Sequence, residues 1–125
     1  MATSTTRPPT GEERDQRPLD IRTMRASTRH LLAEGAELLS LEEVETLTLR
    51  LRGHIMVAVP EVEQMAGRLA DDDTRRACAR ACIVEARMRM RLEPGTTPPA
   101  RIAHAQRLAR SVNALCDHYE SLGGS

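Results

Sequence analysis

The sequence predicts an all-α protein, an antiparallel four-helix bundle with a long, kinked second helix and a disordered N-terminal tail. Three observations lead to this prediction. Apolar residues recur at intervals of three and four along four segments. Residues that typically begin or end helices bound each segment. The connections between the segments are short, which favours antiparallel neighbours.

The domain begins after a polar N-terminal segment. Residues 1–17 contain almost no apolar side chains, which predicts a disordered tail. Residues 18–125 then form a single helical-bundle domain, long enough to bury a core. Predicted helix 1 begins near Asp20, a typical N-cap residue, and ends near Gly35.

Predicted helix 2 is the longest of the four. Ser40 and Glu43 have the spacing of a capping box, and apolar residues keep one helical register from Val44 to Leu69. Pro60 lies inside that register, about opposite the apolar face, so we expect it to bend the helix rather than end it. Either the bend closes the bundle, or part of helix 2 pairs with a second copy in a homodimer.

Predicted helix 3 runs from the acidic residues 71–73 to about Glu93 and has two apolar faces. One face contains Ala77, Ala81, Val84, Met88 and Leu92. The other contains Ala79, Ile83, Ala86 and Met90. Two apolar faces predict a helix that packs on both sides, which would give helix 3 the central position in the bundle.

Predicted helix 4 begins at the N-cap Thr97 and carries Tyr119, the only aromatic residue of the chain. Helical phasing points Cys116 and Tyr119 toward the core, while Asp117 and Glu120 point away. Tyr119 is therefore predicted to pack as an anchor, with its hydroxyl bonded to a partner at the end of the bundle.

The basic residues are unevenly distributed. All eighteen are Arg, and the formal net charge is zero. Residues 18–72 hold six Arg and ten acids, and residues 73–125 hold nine Arg and five acids. The two halves can pair within the domain, or the second half can present a basic surface to an anionic partner. Zero net charge, the absence of Lys and a single aromatic argue against nucleic acid as that partner.

Localisation follows from what the sequence lacks. No apolar signal region and no apolar run of membrane-spanning length occur, so no membrane association is expected. The three Cys are an odd number, which is typical of reduced thiols in the cytoplasm. We therefore expect a cytoplasmic protein.

The candidate ligand site lies between predicted helices 3 and 4. Glu85 falls between the two apolar faces of helix 3, so we expect it to be partly buried and paired with Arg110 or His104. A polar flank of helix 4 adds Arg107 and His118 as candidates, with Tyr119 next to that flank. The alternatives are a structural ion pair at Glu85 and an ordinary solvated helix edge.

A thiolate metal site is the second candidate. Cys78 and Cys82 share one helix face, and antiparallel pairing brings Cys116 near Cys78, with His104 or His118 as a further ligand. The alternative is small, inert thiols, since short metal loops typically use a C-x-x-C spacing. No cofactor-binding motif occurs, so no cofactor is predicted.

These features favour a non-catalytic interaction or accessory protein. The sequence contains no phosphate loop, no serine elbow and no metalloprotease or di-metal motif. A protein partner or self-association is expected before nucleic acid. The alternative is a helical bundle that binds a small molecule or metal between helices 3 and 4.

Three segments, residues 51–63, 81–95 and 103–120, resemble a family of small actinobacterial helical proteins of unknown function, some labelled natural product biosynthesis proteins. The motifs are the run from His54 to Pro60-Glu61, the triplet Glu85-Ala86-Arg87 and the string Leu115 to Tyr119. The resemblance implies a helical domain linked to specialised metabolism. It brings no catalytic residues to carry over.

Overall fold

The computed structural model describes residues 18–123 and is all-helical over that range. Within residues 18–123 five α-helices follow one another: α1 (Ile21–Ala26), α2 (Arg29–Leu32), α3 (Leu41–Gly67), α4 (Thr74–Arg91) and α5 (Pro98–Ser121). One turn of 3-10 helix, Ala36–Leu38, precedes α3. Within the described range there is no strand, which confirms the all-α class. The predicted tail, residues 1–17, lies outside the described residues.

Side chains cap the N-termini of four helices. The caps are Asp20, Ser40, Asp73 and Thr97. Each accepts a hydrogen bond from a backbone amide of the first turn, which would otherwise lack a partner. Ser40 and Glu43 form the predicted capping box, since the Glu43 carboxylate also accepts the Ser40 N–H at 2.9 Å. The predicted starts of helices 1, 2 and 4 are therefore confirmed.

Predicted helix 1 is wrong as a single helix, because the chain is interrupted at Ser27 and Thr28. Both hydroxyls donate to carbonyls of the preceding turn, Ser27 at 3.0 Å and Thr28 at 2.8 Å. Ser and Thr compete in this way with the helical backbone. The same hydroxyls also bond to other helices, Ser27 to His54 of α3 at 2.9 Å and Thr28 to Asn113 of α5 at 3.1 Å.

Helix α3 is continuous through Pro60 and has 27 residues, about 40 Å. Its buried side chains keep the predicted register. The fully buried members include Leu51, Ile55, Ala58 and Val62. Pro60 itself is exposed, on the side away from these residues, where the loss of one amide donor leaves the core contacts intact.

The central helix is α5, which corresponds to predicted helix 4. The prediction that helix 3, which corresponds to α4, is central is therefore wrong. Helix α5 packs against α1, α2, α3 and α4. Nine of its residues are buried: His104, Ala105, Leu108, Ala109, Ser111, Val112, Leu115, Cys116 and Tyr119. Helix α4 buries only Ala79, Ile83 and Ala86, because one of its two apolar faces has no partner within residues 18–123.

The segment that contains α1 docks on the end of α5. The Leu19 N–H donates to the Tyr119 hydroxyl at 3.2 Å, and both residues are buried. Arg25 bonds to the carboxylates of Asp117 and Glu120 at 2.8 and 2.6 Å. These contacts confirm the prediction that Tyr119 anchors the bundle end through its hydroxyl.

Removal of that hydroxyl tests the anchor. We predict that Tyr119→Phe lowers the free energy of unfolding by about 1–2 kcal/mol, because the buried Leu19 amide loses its acceptor. Denaturant titration measures the change. Ser121→Ala, which removes an exposed hydroxyl bonded only to the His118 carbonyl, is the control and should be close to neutral. Equal effects of the two substitutions would contradict the anchor.

Candidate functional site

The outer face of α4 exposes a line of apolar residues beside a groove. Five apolar residues form this face and are called the α4 stripe: Ala77, Ala81, Val84 and Met88 of α4, and the C-cap residue Leu92 that follows them. The side chains of Val84, Met88 and Leu92 are 55%, 59% and 51% exposed. They lie opposite Ile83 and Ala86, which pack into the core. The sequence predicted that both faces would be covered, and the structure covers one.

A groove runs along one side of the α4 stripe, between α4 and α5. Its volume is about 480 Å³. The lining residues are Ala81, Val84, Glu85, Met88, Arg89, Leu92 and Arg107. The groove thus has an apolar floor from α4 and a charged rim from both helices, an arrangement typical of surfaces that bind a partly apolar ligand.

Arg89 fixes the charged rim of this groove. Its guanidinium donates to the Arg107 carbonyl at 3.1 Å and to the Ser111 hydroxyl at 3.0 Å, which ties α4 to α5. The same group pairs with Glu85 at 3.4 Å. Sequence reasoning missed Arg89. The antiparallel pairing that placed Glu85 beside helix 4 applies equally to Arg89, one turn further along, and could have found it.

Glu85 is not the partly buried acid that the sequence predicted. Its side chain is 59% exposed, and its ion-pair partner is Arg89 on its own helix rather than Arg110 or His104. The prediction failed because it assumed that both apolar faces of the helix were covered. An exposed pair of this kind stabilises a protein by about 0–1 kcal/mol.

His104 is a buried residue of α5 and does not line the groove that contains Glu85. The residue is 3% exposed. Burial lowers the pKa of His104, and the positive charges of Arg52 and Arg107 lower it further. A neutral imidazole in this position contributes to packing and does not supply a positive charge to an anionic ligand.

The remaining predicted ligand residues do not converge on the groove. Arg110 is exposed, His118 is half-buried, and Tyr119 bonds to Leu19 at the far end of α5. Tyr119 is about 18 Å along the helix from Arg107. Of the six predicted ligand residues, the structure brings Glu85 and Arg107 together on one groove and leaves the other four elsewhere.

The three thiols do not form the predicted metal site. Cys78 is exposed, Cys82 is half-buried, and Cys116 is buried, with its sulfur 4.0 Å from that of Met24. Among residues 18–123, no group of three or more His, Cys, Asp or Glu side chains is placed to hold a metal ion. Burial raises the pKa of both Cys82 and Cys116 to about 11, so these thiols stay protonated.

None of the helices in the described part of the chain is both long enough and apolar enough to cross a membrane.

Thiol reactivity should follow these environments. At about pH 8 a thiol with a pKa of about 11 is roughly 0.1% ionised, so Cys82 and Cys116 should react slowly with an alkylating reagent. Exposed Cys78 should react at least about tenfold faster. Peptide mapping of the alkylated chain measures each rate. Cys78→Ser should remove the fast phase, and three similar rates would contradict the assignment.

Two histidines, the buried His104 and the half-buried His54, should make stability depend on pH. Burial lowers the pKa of His104 and of His54, whose ring bonds to Ser27. Because the unfolded chain then binds more protons than the folded one, the free energy of unfolding should fall as pH drops from about 7.5 to about 5.5. Denaturant titration at each pH measures this slope. His54→Gln and His104→Gln should each flatten it, and stability that is constant or rises on acidification would contradict the assignment.

The comparison with known proteins gives one result. The signature of a family of unknown function (DUF6415) matches residues 22–124, from the start of α1 past the end of α5. Neither the curated proteins nor the solved structures give a match to this chain. Since the match covers nearly all of the described helices, the chain belongs to this family of unknown function.

Proposed function

We propose that this chain is a non-catalytic interaction protein that binds another protein through the α4 stripe. The observation that carries the proposal is the exposure of Val84, Met88 and Leu92 on a helix whose opposite face already packs into the core. Single exposed apolar side chains are common in folded proteins. A contiguous exposed patch that borders a groove is typical of an interaction surface.

Helical spacing makes the stripe contiguous. Val84, Met88 and Leu92 follow one another at intervals of four residues, so each lies about one turn above the last. Ala77 and Ala81 extend the same line toward the N-terminus of α4. The stripe therefore covers about 22 Å, the length of a short docked helix.

The chemistry around the groove favours binding over catalysis. Glu85 is exposed and already paired with Arg89. The pKa of Cys82 is raised to about 11, and the pKa of His104 is lowered by burial inside the protein. Catalytic groups typically lie within hydrogen-bond reach of one another in a cleft. The residues that line this groove support a docking surface better than a catalytic site.

The finer architecture is part of the same proposal. The bonds from Arg89 on α4 to α5 and from Arg52 on α3 to the Met90 carbonyl on α4 support antiparallel neighbours in a four-helix bundle, with α1 and α2 together as the first member. A bend at Pro60 is proposed on the strength of its position inside α3. The resemblance of three segments to a family of small helical proteins supports a role linked to specialised metabolism, and the odd number of Cys supports a cytoplasmic location.

A small molecule is the second candidate occupant, favoured by the groove itself. A volume of about 480 Å³ is within the range of ligand sites. The groove would suit an apolar ligand with one anionic group, because Arg89 and Arg107 lie at its rim. Because the groove is open to the surface between two helices, we rank a small molecule below a protein partner.

Photo-crosslinking tests the proposed function. A photoreactive amino acid at position 88 should form a discrete adduct with a second protein in the cells that produce this chain, because Met88 lies at the centre of the α4 stripe. The control places the same amino acid at position 56 on α3, where Met56 is 68% exposed but outside the groove. Mass spectrometry of the adducts measures the outcome.

The result separates the candidates. An adduct at position 88 and none at position 56 supports the proposed function. No adduct at position 88, or equal adducts at both positions, contradicts it. A small molecule retained by the purified chain in native mass spectrometry and lost on Leu92→Glu would favour the second candidate instead.

A further inference from the structure

The α4 stripe lies in a strongly basic setting. Helix α4 carries six Arg and a single acid, Glu85. Arg80, Arg87 and Arg91 share one flank of the stripe, since intervals of seven and four residues return to the same side of a helix. Arg89 and Arg107 border the other flank along the groove. Guanidinium groups therefore line both sides of an exposed apolar surface.

Several of these arginines remain available to a partner. No ion pair within residues 18–123 involves Arg80 or Arg91, and both residues are exposed. Arg87 contacts Glu63 of α3 at 3.3 Å while its side chain stays 48% exposed. The basic flank is thus only partly neutralised inside the chain.

From this arrangement, and resting on the proposed function, we propose that the α4 stripe and its groove bind an amphipathic α-helix of a different protein, with acidic residues on both flanks of its apolar face. The groove between α4 and α5 matches the convex side of a third helix. The partner helix has about fifteen residues, to match the 22 Å stripe. Its Glu and Asp residues pair with Arg80 and Arg91 on one side and with Arg107 on the other.

Charge argues against a second copy as the occupant. An antiparallel pairing of two α4 helices about a two-fold axis places like flanks opposite each other. Arg80, Arg87 and Arg91 would then face the same three residues of the other copy, and juxtaposed like charges weaken association. With an acidic partner, the same three arginines would face opposite charges and make attractive contacts.

The apolar centre of the surface argues against nucleic acid, and the groove argues against a membrane. Phosphate-binding surfaces place basic and polar side chains where this one has Val84, Met88 and Leu92. A bilayer surface is flat on the scale of the groove. Arg107, which lines the groove from α5, would therefore lack a contact with it.

Two synthetic helical peptides test the inference. Both have about eighteen residues and the same Leu positions, but one carries Glu on its flanks and the other carries Lys. The full chain should bind the Glu peptide at least about tenfold more tightly, as measured by fluorescence anisotropy, and added salt should weaken that binding. Met88→Glu should weaken it at least about tenfold, whereas the matched control Met56→Glu should leave it unchanged. Circular dichroism checks that both variants fold.

Charge reversal gives the second arm. The double variant Arg80→Glu with Arg91→Glu should lose the preference for the Glu peptide and gain affinity for the Lys peptide. Equal binding of the two peptides by the unaltered chain would overturn the inference. The inference would also be overturned if Met88 were required for a different interaction in place of binding to the Glu peptide. Such interactions are binding to anionic lipid vesicles, binding to duplex DNA, and dimer formation in sedimentation.

The two proposals fail separately. An adduct at position 88 together with no preference for the Glu peptide would retain the proposed function and remove the acidic-helix inference. Absence of the adduct, together with no Met88-dependent binding of either peptide, would remove both proposals.

Discussion

The fold depends on one constraint, which is that α5 must be covered on several sides at once. Nine of its residues are buried, and α1, α2, α3 and α4 all pack on it. Small side chains at Ala105, Ala109 and Ser111 let neighbouring backbones approach closely, while Leu108 and Leu115 supply apolar area. With almost no aromatic residues available, this close approach is how the chain fills its core.

The central position of α5 determines what is left for α4. A helix at the edge of a bundle buries one face, so the second apolar face of α4 stays at the surface. Two arginine side chains hold α4 in this place. Arg89 of α4 donates to the Arg107 carbonyl of α5, and Arg52 of α3 donates to the Met90 carbonyl in the last turn of α4. The planar guanidinium suits such contacts, which gives Arg a structural role in this chain.

Much of the fold could be predicted because its signals are local. Caps at Ser40 and Thr97 and the phase of Tyr119 depend on residues within one or two turns. The interruption at Ser27 and Thr28 was missed although part of its cause is local, since both hydroxyls bond to carbonyls of the preceding turn. Their further bonds, to His54 and Asn113, reach residues that are distant in sequence. The candidate site was predicted only in part. Periodicity identifies an apolar face on α4 but does not tell whether another helix of the chain covers it, and the expected burial of Glu85 failed for that reason.

If the outer face of α4 is uncovered in the folded, isolated chain, peroxide should oxidise Met88 as readily as other exposed methionines. Met88 is 59% exposed, Met56 is 68% exposed and Met24 is 4% exposed. Peptide mapping after oxidation should show Met88 reacting nearly as fast as Met56, well ahead of Met24, at every protein concentration. Protection of Met88 to the level of Met24 would contradict the account, because some part of the chain or a second copy would then cover that face.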